Sequence, residues 1–125
     1  MHAFLLDAHV PVAVLDGVRA ARPSCRVEHL AQWREGSFRS AIDEDILIAA
    51  HGANLVLVTY DVGTIPAILH RWLAEGRPAA GVALIPARTI AQNDVGGIVQ
   101  AVVQLYDEPS TLDPAYPVVY LRPAS

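Results

Sequence analysis

The sequence predicts an α/β protein, a three-layer α/β/α sandwich around a central, mainly parallel sheet. Three observations carry this expectation. Continuous apolar runs at Ala3-Phe4-Leu5-Leu6, Leu55-Val56-Leu57-Val58-Thr59-Tyr60 and Gly81-Val82-Ala83-Leu84-Ile85-Pro86 have the length and composition of strands buried on both faces. The segments between them carry apolar residues at helical spacing. Strand-like and helix-like segments alternate along the chain, which implies right-handed crossovers and helices on both faces of one sheet.

The elements follow in order. After the first strand, residues 10 to 21 have near-helical apolar spacing, with Pro11 in the first turn and Pro23 ending the helix. Cys25-Arg26-Val27-Glu28-His29-Leu30 alternates like a short strand, and its lower apolar content suits a place nearer the sheet edge. Residues 31 to 42 have no clean period and read as a loop. A helix is expected from Asp43 to about His51, stopping at Gly52 in the role of a left-handed cap. The strand at 55 to 60 leads into a helix over 65 to 75, with Thr64 as N-cap, Gly76 past its end, and Ile65, Ile68, Leu69 and Trp72 on one face. The strand at 81 to 86 precedes a final helix from Asp94 to Tyr106, whose start Gly96-Gly97 should weaken. This gives one domain over 1–107 and a Pro-rich tail over 108–125, read as irregular, in which Pro117-Val118-Val119-Tyr120-Leu121 can add an edge strand or pack against a second subunit.

Composition bounds the function classes. At 125 residues and 53% hydrophobic content, the chain is about one domain with a real core. All nine basic residues are arginine, and the formal net charge of −4 argues against a broad non-specific nucleic-acid binder while leaving room for a local arginine patch. The single Cys25 cannot form an internal disulfide and reads as a small apolar residue. With no signal-peptide pattern and no apolar stretch long enough to span a bilayer, the expectation is a soluble cytoplasmic protein with no membrane association. The histidines lack zinc-site spacing with Cys25; His29 and His51 are expected at the surface or at helix ends, and His70 in solvent.

The chemistry gathers on carboxylates. Asp7 and Asp61 each follow an apolar strand, so both belong at the carboxyl edge of the sheet, where ligands of such folds collect. Two like charges held close repel unless a cation lies between them, which points to a divalent metal. Asp43-Glu44-Asp45 opens a helix, where the dipole alone accounts for acids, yet a residue at that helix start also reaches the same edge. Three such carboxylates suit Mg²⁺ or Mn²⁺, which activates water and neutralises phosphodiester charge. A receiver domain is excluded by the absence of lysine, and a haloacid dehalogenase phosphatase by the lack of a second acid in Asp7-Ala8-His9. Arg34 and Arg39 flank the loop before the acidic helix and serve either as solvated charge or as contacts to an RNA backbone. Trp33 and Phe38, in the same loop, stack on a base or cap the core.

Phe4-Leu5-Leu6-Asp7-Ala8-His9-Val10-Pro11, then Ile42-Asp43-Glu44-Asp45-Ile46-Leu47, then Val56-Leu57-Val58-Thr59-Tyr60-Asp61, resemble in order and spacing the PIN-like proteins of the bacterial group labelled DUF5615. The resemblance covers residues 1 to 107. It implies a PIN fold, a Mg²⁺ or Mn²⁺ site, and endoribonuclease activity as the toxin of a toxin–antitoxin pair, hence RNA and an antitoxin protein as partners. Carried over by position, Asp7, Asp43 and Asp61 become the catalytic and metal-site acids. Taken from this chain's own residues and not from the family, His9, Arg34, Arg39 and Thr64 are the candidate substrate contacts. The chain departs from the group at Ala8-His9, where Glu-Asn is usual, and at Asp61-Val62-Gly63-Thr64, where a second acid is common. Those losses support an alternative, a PIN-like module that has lost turnover and acts by binding protein or RNA. The uncovered tail strand further predicts a homodimer.

Overall fold

The computed structural model describes residues 2–79 and 81–123. Five parallel strands form one sheet in the order β2-β1-β3-β4-β5: β1 (Phe4–Leu6), β2 (Val27–His29), β3 (Val56–Thr59), β4 (Val82–Leu84) and β5 (Val118–Tyr120). The helices are α1 (Ala13–Ala21), α2 (Asp43–Gly52), α3 (Thr64–Ala74) and α4 (Val95–Asp107). Side chains on a strand alternate between faces, and the core divides accordingly. Phe4, Leu6, Val56, Val58 and Ala83 pack with Val14, Val18, Ile98 and Val102 of α1 and α4. Leu5, Leu57, Val82 and Leu84 pack with Ile46, Leu47, Leu69 and Trp72 of α2 and α3. The expected three-layer sandwich with helices on both faces is therefore present, and every strand is parallel. Among the described residues, no helix is long and apolar enough to cross a membrane.

Several local expectations are corrected. Gly52 lies inside α2, and the left-handed residue beyond the helix is Asn54, with φ of 58°. Thr64 does not cap α3: its N–H and that of Gly63 both donate to Asp61 Oδ1, so the cap comes from the end of the preceding strand. Gly97 assists the start of α4, because a Cβ there would lie 2.5 Å from Asp94 Oδ2, the carboxylate that caps the helix by accepting from Gly97 N–H. His29 is 2% exposed and belongs to the core rather than the surface. Residues 31–42 stay irregular as expected, with a tight kinked turn over Trp33–Gly36 in which Arg34 and Glu35 depart from helical geometry.

Of the two roles left open for residues 117–121 the chain takes the edge strand, and the reading of the whole tail as irregular is corrected there. This segment is part of the sheet, since Val118, Val119 and Tyr120 register against Val82, Ala83 and Leu84, and Leu121 is buried. A strand hydrogen-bonded to β4 is no uncovered patch, and Pro117 and Pro123 keep its free edge short. The argument for a homodimer from an unpaired tail strand falls away with that pairing.

Candidate functional site

The carboxyl ends of β1 and β3 are adjacent because Leu6 registers against Val58, which places Asp7 beside Thr59. Asp7 N–H extends the ladder by donating to Val58 O at 2.9 Å. Its carboxylate, 7% exposed, accepts from Ala8 N–H on Oδ1 (2.8 Å) and from the Thr59 hydroxyl on Oδ2 (2.6 Å). Thr59 Oγ1 in turn accepts from Asp61 N–H at 3.0 Å. A continuous chain of hydrogen bonds thus runs from the Asp61 backbone through Thr59 to Asp7.

Asp43 enters from the opposite layer. α2 begins at this residue, after the extended Ile42, and its first turn overhangs the same sheet edge. Of the three consecutive acids only Asp43 lines the resulting cleft, an open volume of about 500 Å³. Glu44 is held elsewhere, accepting from the Arg71 guanidinium and, at 3.4 Å, from the Trp72 indole N–H, which ties α2 to α3. Asp45 is exposed.

The cleft unites Asp7, Asp43 and Asp61 with His9 and Arg39. Its electrostatics show most clearly at Asp43, whose carboxyl is pushed above the usual range. Partial burial is the main cause, followed by the charge of Asp61, a hydrogen bond to Asp61 and the charge of Asp7; His9 opposes these. The like charges of Asp61 and Asp7 beside it thus disfavour the ionised form of Asp43. Arg39 is the guanidinium at this site, and its position depends on Gly36. That glycine has φ of +76°, and a Cβ on it would lie 2.7 Å from Arg39 Nε and 3.1 Å from Ala31 O. Gly36 ends a run of three left-handed residues with Arg34 (φ 50°) and Glu35 (φ 61°), a costly conformation of the kind that clusters at binding sites.

Two expected contacts lie outside the cleft. Arg34 stacks 4.4 Å above the Trp33 ring, which itself stacks on Phe38, so these aromatics close the α2/α3 layer. Thr64 is exposed at the start of α3 and meets Asp61 through its backbone. Three participants were missed. Tyr60 and Gln92 line the cleft, and Thr59 joins the two strand-end acids. Thr59, two residues before Asp61 in a buried strand, carried a signal: a buried hydroxyl must find a partner. Gln92 carried none, since the strand order brings its loop there.

His29 organises the rim. Ala31 N–H donates to its Nδ1 at 3.0 Å, so the ring proton sits on Nε2 and is donated to Val10 O at 2.7 Å. One buried imidazole thereby fastens the loop bearing His9 to the segment that leads to Arg39.

The three acids offer oxygen donors, which suit a hard cation, and His9 adds an imidazole nitrogen donor to the cleft lining. Among the described residues, no three His, Cys, Asp or Glu side chains form a group with metal-holding geometry. Mg²⁺ commonly takes one or two carboxylates and retains water, so fewer than three of the cleft's acids would suffice to hold it. Comparison with protein-family models, with curated proteins and with solved structures returns no match for this chain. Fold and site alone define its class, a parallel α/β/α sandwich with an acidic cleft at the carboxyl edge of its sheet.

Proposed function

We propose that the chain is a metal-dependent endoribonuclease of PIN-like type, the toxin of a toxin–antitoxin pair. The reading is supported by one observation above others: acids from β1, α2 and β3 line a single open cleft beside a guanidinium. Asp43 and Asp61, with Asp7 next to them, would hold Mg²⁺ or Mn²⁺. Such an ion, when bound, supplies an activated water and neutralises phosphate charge.

The remaining work falls to the chain. Arg39 offers a planar pair of donors to non-bridging phosphate oxygens, the contact for which guanidinium geometry is suited. Asp7 is oriented by its two accepted hydrogen bonds, one on each carboxylate oxygen. His9, exposed on the cleft wall, offers an imidazole nitrogen that can take or return a proton beside the acids.

Incubation of the chain with mixed RNA and Mn²⁺ should give cleavage that EDTA stops and that Asp61→Asn reduces by on the order of a hundredfold or more. A second reading, a module that binds protein or RNA without turnover, is favoured by the absence of a three-acid metal group among the described residues. It becomes the better account if wild type and Asp61→Asn are equally inactive on every RNA tried while RNA or a protein partner still binds.

A further inference from the structure

The carboxyl rim of the sheet continues past the acidic cleft. In register, Asp7 stands beside Thr59, Thr59 beside Leu84, and Leu84 beside Tyr120. At about 4.8 Å per strand, Tyr120 lies two spacings, about 10 Å, from Thr59 along this row. A second groove of about 420 Å³ opens there, lined by Val62, Pro86, Ala87, Arg88 and Tyr120. It adjoins the cleft through one peptide bond, since Asp61 lines the first and Val62 the second.

The groove's chemistry is unlike that of the cleft. Tyr120 is 52% exposed and Val62 47%, an unusual showing of large apolar surface beside a charged site. Of the nine arginines, Arg19, Arg22, Arg71 and Arg77 are paired with carboxylates and Arg34 is stacked on Trp33. Arg26, Arg39, Arg88 and Arg122 have no carboxylate within 4 Å among the described residues, and of these Arg39 and Arg88 border the acids on the two sides, Arg39 in the cleft and Arg88 in the groove. An aromatic ring beside an unpaired guanidinium is the combination that single-stranded nucleic acid uses, the base stacking and the phosphate pairing.

The geometry points to a nucleotide subsite in this groove: Tyr120 stacks a base of single-stranded RNA flanking the cleaved phosphate, and Arg88 holds an adjoining phosphate. This rests on the ribonuclease reading and specifies its substrate as unpaired RNA that runs along the rim from Arg39 towards Arg88.

The test uses the full chain and a fluorescein-labelled hexauridylate, followed by anisotropy in EDTA so that binding is read without turnover. Tyr120→Ala should weaken binding about tenfold and Tyr120→Phe should bind like wild type, because stacking needs the ring and not the hydroxyl. Arg88→Gln should weaken binding and reduce the slope of log affinity against log salt by about 0.7, the loss of one phosphate contact on a single strand. With Mn²⁺ present, Tyr120→Ala should raise KM and leave kcat unchanged. The subsite is overturned if Tyr120→Ala and Arg88→Gln bind and are saturated like wild type while cleavage persists, a result that leaves the ribonuclease reading standing. It is also overturned if Tyr120→Phe fails as badly as Tyr120→Ala. Wild type that neither binds nor cleaves the oligonucleotide overturns both. Melting curves by circular dichroism identify any variant whose loss is one of folding, and Tyr120→Phe then decides.

Discussion

Asp43 and Asp107 are both aspartates at helix ends, and their carboxyls are moved in directions opposite to those their helices favour. Asp43 opens α2, where the positive end of the dipole should stabilise the carboxylate, yet burial with Asp61 and Asp7 nearby pushes it up. Asp107 closes α4, where the dipole should disfavour negative charge, yet a two-pronged hydrogen bond from Arg22 holds it below the usual range. The helix effect is small and confined to one turn, so charged neighbours brought by the fold outweigh it. One carboxylate clasps α1 to α4; the other is kept in a repulsive cluster that the fold tolerates and that a bound cation would relieve.

The largest expected effect is on activity and tests whether the two regions differ in purpose. Asp43→Asn, like Asp61→Asn, should lower RNA cleavage by on the order of a hundredfold, whereas Asp107→Asn should leave kcat and KM as they are. Equal losses in Asp43→Asn and Asp107→Asn, measured on one oligonucleotide at one Mn²⁺ concentration, would erase the distinction.

Next comes the rim that surrounds the repulsive cluster. His29→Leu removes the partners of Val10 O and Ala31 N–H, at a cost of roughly 1–3 kcal/mol for each group left buried without a bond. Urea unfolding should show a lowered midpoint with the slope unchanged. An unaltered midpoint would mean that these two loops hold their places without the imidazole.

The smallest effect is on the pH dependence of melting in metal-free buffer, and its sign separates the two carboxylates. Asp107 has a lowered value, so its stabilising contribution is present above the ordinary carboxylate range and is lost as pH falls through the depressed value. Asp43 has a raised value, so its contribution is favourable in acid, is lost as pH rises through that value, and leaves net repulsion at neutrality. At pH 7, Asp107→Asn should lower the melting temperature slightly, and Asp43→Asn should raise it by roughly 1–4 °C, a surface-scale interaction. Both differences should shrink in acid. A fall in melting temperature for Asp43→Asn at pH 7 would mark that residue as a structural cap.

Much of the site was legible because strand ends are legible. Apolar runs located β1, β3 and β4, and the acid following a buried parallel strand has to lie at the carboxyl edge. The choice among Asp43, Glu44 and Asp45 was not legible, because α3 decides it: Arg71 and Trp72 capture Glu44 and leave Asp43 for the cleft. Arg34 and Arg39 looked alike in sequence, and only the left-handed run ending at Gly36 sends one to an aromatic stack and the other to the acids.

By itself the sequence determined the layers. Hydrophobic period is a local property, and burying both faces of a parallel sheet leaves helices no other place. Tertiary structure alone decided the strand order, the conversion of the proline-rich tail into β5, the burial of His29, and the row from Asp7 to Tyr120. Each of these depends on which distant segments pair. Pairing is set by the summed fit of whole surfaces, which no short window of residues contains.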